Sequence, residues 1–275
     1  MDGILSSAVA LYAFAGISNC LGLLLLTRAK PQPYNQRIIL QNLALVEIVY
    51  SFLSIPHTVY EGNNLKWCLT YDFLWALVYT VFQLTILHII TDKTASIYFH
   101  LRYNAIFSKK RLRLVLVSFW IFGCMLALMI VLIEIYCVER KLVQKYWTYS
   151  YFAFDIFIAF NLLIQFVYLY KKAKKIRCCI NENKTIERKA KENALRIKDV
   201  SKFLLPAVIV GTYVLFCLTA STLYLLAKTN RKSKELYVSI AHFFEVATII
   251  SDVCTYVFLQ RQVRKYLYEL FLKRD

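Results

Sequence analysis

Residues 67–103 read WCLTYDFLWALVYTVFQLTILHIITDKTASIYFHLRY. Within them Ala76–Ile90, ALVYTVFQLTILHII, is an apolar segment of helix length inside a longer span. The run then meets Thr91-Asp92-Lys93-Thr94 and ends in Leu101-Arg102-Tyr103. An acid and a base side by side are costly inside lipid, so Asp92 and Lys93 mark the point where this helix leaves the membrane core.

The rest of the chain repeats the pattern. Of 275 residues, 59% are hydrophobic, with only six glycines and four prolines to interrupt them, and the mean hydropathy is +0.50. Too little polar sequence is present to coat a soluble domain of this size. The apolar runs are about 20 residues or longer, whereas a membrane β-barrel is written in strands of about 10 residues with alternating polarity. The expected fold is therefore all-α: seven transmembrane helices in one domain, over about 5–27, 37–60, 67–99, 112–136, 147–172, 201–227 and 236–258, followed by a short amphipathic helix at 261–272.

The net charge of +17 is placed by topology. Twenty-five Lys and Arg fall in the segments after spans one, three and five and in the tail, against eight on the other side. That asymmetry predicts the N-terminus outside and the C-terminus in the cytoplasm. It also argues against nucleic acid as a partner, since the bases sit in short loops between apolar spans. The partner they suit is the headgroup layer of the bilayer. Met1–Ser7 lacks the basic start of a cleavable signal peptide. The basic segment Lys171–Lys198 has charges at helical spacing, so spans five and six are expected to extend past the membrane. Cys178 and Cys179 lie beside it, open either to acylation or to a life as free thiols.

Several landmarks recur at set spacings. Asn19 in span one precedes Glu47 in span two by 28 residues; Cys68 precedes Lys93 by 25, and Trp120 follows Lys93 by 27. Asp92-Lys93-Thr94 closes span three, Leu101-Arg102-Tyr103 follows it, and Asp252-Val253-Cys254-Thr255-Tyr256 ends span seven. Val263-Arg264-Lys265 through Leu270-Phe271 completes the set. Taken in order, it resembles a divergent rhodopsin-like (class A) G-protein-coupled receptor over nearly the whole chain. Four positions depart from that family: Lys93 replaces its Arg, while Phe160, Thr219 and Val253 replace prolines of spans five, six and seven. Without those prolines the spans are expected to be straighter.

The resemblance implies roles for named residues. Asp92, Lys93 and Asp199 would form an ionic lock at the cytoplasmic mouth, with Tyr168 and Tyr256 lining the cavity that opens for a heterotrimeric G protein. Lysine offers a point charge rather than a planar fork, so this lock is expected to be weaker, and a Lys93 that merely snorkels is the alternative. Cys68 and Cys137 would bridge at the outer face. Asn19, Glu47 and Asp252 would form the buried polar site where the family holds a sodium ion. Two carboxyls there without a base cannot both ionise cheaply, so a shared proton, a cation or a hydrogen-bonded structural pair are all open.

For an extracellular ligand of unknown identity the candidates are His57, Asp72, Trp75, Tyr79, Asp155, Tyr224, His242 and Glu245. Trp75 stands where amine receptors carry an acid, which disfavours monoamines, and Val246 stands where an opsin carries its retinal lysine. No cofactor is called for, and no nucleophile–base pair or metal-ligand cluster suggests an enzyme. The expected function is a plasma-membrane receptor activating a G protein. The alternatives are an ion- or proton-coupled transporter, with Glu47 and Asp252 as its carrier carboxylates, and a constitutively active or decoy receptor.

Overall fold

The computed structural model describes residues 2–28, 34–59, 65–99, 103–136, 140–181, 207–230, 233–258 and 261–272. Its long helices are α1 (Asp2–Arg28), α2 (Tyr34–Val59), α3 (Leu65–Tyr98), α5 (Lys109–Tyr136), α6 (Arg140–Asn181), α7 (Ala207–Thr229) and α8 (Lys234–Phe258). The single turn α4 (Tyr103–Ile106) separates α3 from α5, and α9 (Arg261–Leu272) follows α8. No strand occurs among the described residues. Seven of these helices are long and apolar enough to cross a membrane, which makes this an all-α, multi-pass membrane protein.

What the surface exposes supports the same conclusion. Along α5, Leu114, Val117, Ile121, Met125, Leu128 and Leu132 are all more than half exposed. Leu116, Gly123, Ala127 and Ile130 are buried on the opposite face. Comparable exposed stripes run along α1 (Phe14, Ile17, Leu21, Leu24) and α6 (Phe157, Phe160, Ile164). Water would not tolerate a continuous belt of this kind, and lipid chains solvate it without cost. Phe160 is part of that outer belt at 63% exposure.

α1 packs on α2 and α8, α7 on α6 and α8, and α3 runs through the middle against α2, α5 and α6. The close approach of α5 to α3 depends on Gly123, where a Cβ would come within 3.0 Å of Leu77 Cδ1 and 3.2 Å of the Leu77 carbonyl oxygen. Trp120 adds a polar tie: its Nε1 donates to Asn42 Oδ1 at 3.0 Å, and Asn42 Nδ2 donates to Thr85 at 2.8 Å, joining α2, α3 and α5.

The helices overrun the spans read from apolarity. α6 has 42 residues, about 63 Å at 1.5 Å per residue, whereas hydrocarbon is about 30 Å thick. Its apolar section is Tyr146–Lys171, and the backbone continues helical on both sides because nothing at those positions breaks it. The segment 182–206, including Asp199, lies outside the described residues, as do Cys137 and the side chains of His57, Cys178, Cys179 and Tyr256.

α7 has no proline at Thr219 and is not a uniform helix: Tyr213–Cys217 forms a π turn, closed by the Leu218 N–H on the Tyr213 carbonyl. The interruption comes from one extra residue in the turn rather than from a missing N–H. α9 carries its apolar side inward, with Val263 fully buried against the core and Tyr266 and Leu267 packed beside it. Lys265 and Glu269 pair at 3.6 Å on its exposed side.

Candidate functional site

The bundle encloses a cavity between α2, α3, α7 and α8, with an empty volume of about 490 Å³ including its mouth. Its polar wall is Glu47, Tyr50, Tyr79, Ser221, Glu245 and Thr248, and its apolar wall includes Val46, Phe82 and Ile249. Three groups of polar side chains adjoin it.

The first centres on Asp155 of α6, which has no exposed surface. Tyr79 donates to its Oδ1 and Ser221 to its Oδ2. Gln83 Nε2 donates to Oδ1 at 2.5 Å, and the Tyr213 hydroxyl lies 3.2 Å from the same oxygen while donating to Gln83 Oε1. α3, α6 and α7 thus converge on one carboxylate whose acceptor capacity is filled, the condition under which a buried carboxyl is stable. An aromatic group backs it: Trp75 stacks on Tyr79 with ring centres 4.8 Å apart, and Tyr151 meets both rings edge-on at 4.9 and 5.2 Å.

The second group joins the first and last spans. Tyr12 of α1 donates to Glu245 Oε2 at 2.7 Å, and its hydroxyl lies 2.7 Å from His242 Nδ1. Tyr224 of α7 reaches the same nitrogen at 3.0 Å, and His242 Nδ1 stands 3.4 Å from Glu245 Oε2, one helical turn apart on α8.

The third is the acid pair. Glu47 is 1% and Asp252 2% exposed, and all four of their carboxylate oxygens are buried without a hydrogen-bond partner. The two carboxyls face each other, with the Asn19 amide beside Glu47. A proton held between them or a cation would complete this site; the described side chains alone leave it open.

At the other end of α3, Asp92 is nearly fully buried and accepts a hydrogen bond from Tyr103 of α4. Asn35 of α2 donates to the Tyr103 hydroxyl at 3.2 Å and to the Phe107 carbonyl at 2.9 Å, fixing the turn under the helix end. Burial, followed by the hydrogen bond to Asp92, pushes the Tyr103 hydroxyl above the usual tyrosine range, while Asn35 pulls the other way. Lys93 Nζ stands 3.9 Å from Asp92 Oδ2, a loose ion pair beside the tighter tyrosine contact.

The structure brings Tyr79 to Asp155, with Trp75 stacked alongside, and Tyr224 to His242 and Glu245. Asp72 lies within electrostatic reach of Tyr71, Lys228 and Tyr151 of the aromatic group. Tyr168 is 42% exposed on α6. Cys68 has no disulfide partner among the described residues, and Cys137 is not one of them. Tyr12, Tyr50, Gln83, Tyr213 and Ser221 belong to the site without having been singled out from the sequence. Gln83 had a signal, being one turn after Tyr79 in an apolar helix. The others depend on how helices far apart in the chain are rotated against each other. Neither the models of known protein families nor the curated proteins match this sequence.

Fold and site together show a multi-pass, seven-helix membrane protein with a small internal cavity edged by carboxylates, which fits a membrane receptor or a transporter.

Proposed function

We propose that this chain is a plasma-membrane receptor of the rhodopsin-like kind, its N-terminus outside and its C-terminus in the cytoplasm. It passes the binding of an extracellular ligand to a heterotrimeric G protein. The observation that carries the reading is the continuity of α3. Tyr79 and Gln83 of this helix border the cavity and the Asp155 group, and Asp92 and Lys93 stand on the same helix at its far end. From Gln83 to Asp92 is about 13 Å at 1.5 Å per residue. A ligand that shifted or rotated α3 at the cavity would change the Asp92–Tyr103 contact through one rigid element, as a two-state switch requires. The order of landmarks along the chain and the 25-to-8 division of basic residues support the same reading. A Cys68–Cys137 bridge at the outer end of α3 and an Asp199 contact to Lys93 belong to this proposal.

The test is guanine-nucleotide exchange on a panel of G-protein α-subunits in membranes containing the chain. Tyr103→Phe removes the donor to Asp92 and is expected to raise basal exchange several-fold, and Lys93→Arg to raise the stimulated rate. If no α-subunit responds to the chain or to either variant, the proposal fails.

The transporter reading has one observation of its own, the open Glu47–Asp252 pair. It requires proton or sodium flux in proteoliposomes that disappears with Glu47→Gln, whereas a receptor gives no flux.

A further inference from the structure

We infer that Tyr12, Tyr224, His242 and Glu245 form a proton-binding site, and that the bound proton fastens α1 and α7 to α8 and makes the bundle sensitive to pH between about 5 and 8. The site stands on its own geometry and rests on the receptor reading only for what the fastening regulates.

Three close contacts meet here: the Tyr12 hydroxyl to Glu245 Oε2 at 2.7 Å, the same hydroxyl to His242 Nδ1 at 2.7 Å, and the Tyr224 hydroxyl to that nitrogen at 3.0 Å. The two phenols carry one proton each, so the third contact needs a proton from the imidazole or the carboxyl. With that proton on Nδ1, His242 donates to Tyr12 and Tyr12 donates to Glu245. Nε2 has no partner among the described residues, and the side chain is 22% exposed, so water can bring a second proton to it. The ring is then a cation whose Nδ1 stands 3.4 Å from Glu245 Oε2, and hydrogen bonds between neutral donors become charge-assisted ones.

The surroundings favour the charged ring. Its imidazole is held between the rings of Tyr12 and Tyr224, with centres 5.7 and 5.8 Å away, so it cannot swing clear of Glu245. Tyr50 of α2 and Tyr71 of α3 face Glu245 as further phenols, and Asp155 of α6 adds a second acid within electrostatic reach of it. Neither His242 nor Glu245 pairs with a Lys or Arg among the described residues. The next charges along the two helices are Lys228, one turn past Tyr224 on α7 and within reach of Asp72, and Lys234 and Glu235 at the start of α8. The fastening is complete when the ring is charged, below the histidine range, and fades as pH rises through it.

The experiment uses the full chain in nanodiscs of zwitterionic lipid, with thermal unfolding read in steps from about pH 8 to about pH 5.5. The chains compared are the wild type, His242→Gln, Glu245→Gln, the double variant and, as a control at the far end of α3, His88→Gln. The Tm advantage of the wild type over His242→Gln is expected to grow by several degrees as pH falls, and that growth to vanish in the Glu245→Gln background. His88→Gln should leave it in place. Tyr12→Phe removes the relay but keeps both ionisable groups; it should reduce the growth, and it supplies the measurement if Glu245→Gln does not fold. An advantage that is constant with pH, that shrinks toward acid, or that grows as before without Glu245 or the Tyr12 hydroxyl would overturn the inference. Guanine-nucleotide exchange at the two ends of the pH range separates this site from the receptor reading. No exchange at either pH with the stability pattern intact would sink the receptor reading and leave the proton site standing, and exchange without the stability pattern would do the reverse.

Discussion

Asp155 draws Tyr79, Gln83, Tyr213 and Ser221 onto one buried carboxylate, and its removal leaves the Tyr79, Gln83 and Ser221 donors without that acceptor, while Tyr213 keeps Gln83 Oε1. A buried donor left without an acceptor costs about 1–3 kcal/mol. Asp155→Ala is therefore expected to lower stability by about 3 kcal/mol or more, a fall in Tm of about 6–12 °C for a chain of this size. Asp155→Asn keeps one acceptor oxygen, and the Ser221 hydroxyl can turn to accept from the new amide, so it should lose less than half as much. Thermal unfolding in detergent measures both, and equal losses would mean that the carboxylate is not the organising acceptor. Asp155 was legible in the sequence because an acid inside an apolar helix has to face inward, and Tyr79 because it stands in the outer half of the central span. That they meet was not legible, since 76 residues separate them.

At the scale of the element, the π turn in α7 decides which side chains reach Asp155. Tyr213 and Ser221 are eight residues apart, which in an α-helix of 3.6 residues per turn leaves them about 80° apart around the axis. One residue absorbed in a π turn reduces the offset to about 20°. Deleting Leu215, which is 61% exposed and packs little, should restore a plain α-helix in which Tyr213 and Ser221 stand seven residues and about 20° apart, so that both still reach Asp155. The expected result is a Tm loss well below that of Asp155→Ala, and a double variant whose losses add, because the deletion leaves the Asp155 contacts in place. A loss as large as that of Asp155→Ala would show that the extra residue is needed for more than the register of the two side chains. No residue in YVLFC announces a π turn, so this part of α7 was not legible in the sequence.

For the whole molecule, orientation is the property on which the receptor reading stands. Short flanking segments richer in Lys and Arg stay in the cytoplasm, and 25 such residues lie on the side of the C-terminus against eight opposite. An epitope at the N-terminus should be reached by antibody on intact cells, and one at the C-terminus only after permeabilisation. The reverse pattern would put Asp92 and Lys93 outside and end the proposal. Both labels should stay with the membrane through an alkaline carbonate wash, since the exposed belt of α1, α5 and α6 has no other suitable solvent.

The sequence by itself determined seven helices, their order and their apolar limits. The free energy of moving each span from water into lipid is a local sum over about 20 residues and does not depend on the other spans. It also determined that Glu47, Asp155, Glu245 and Asp252 turn inward, since lipid admits no alternative. Only the tertiary structure decided which of them meet. Tyr12 reaches Glu245 across 233 positions of chain, and Tyr213 reaches Gln83 across 130. Such contacts depend on the rotation of each helix about its axis, which is set by side-chain packing between neighbours rather than by the composition of any one span.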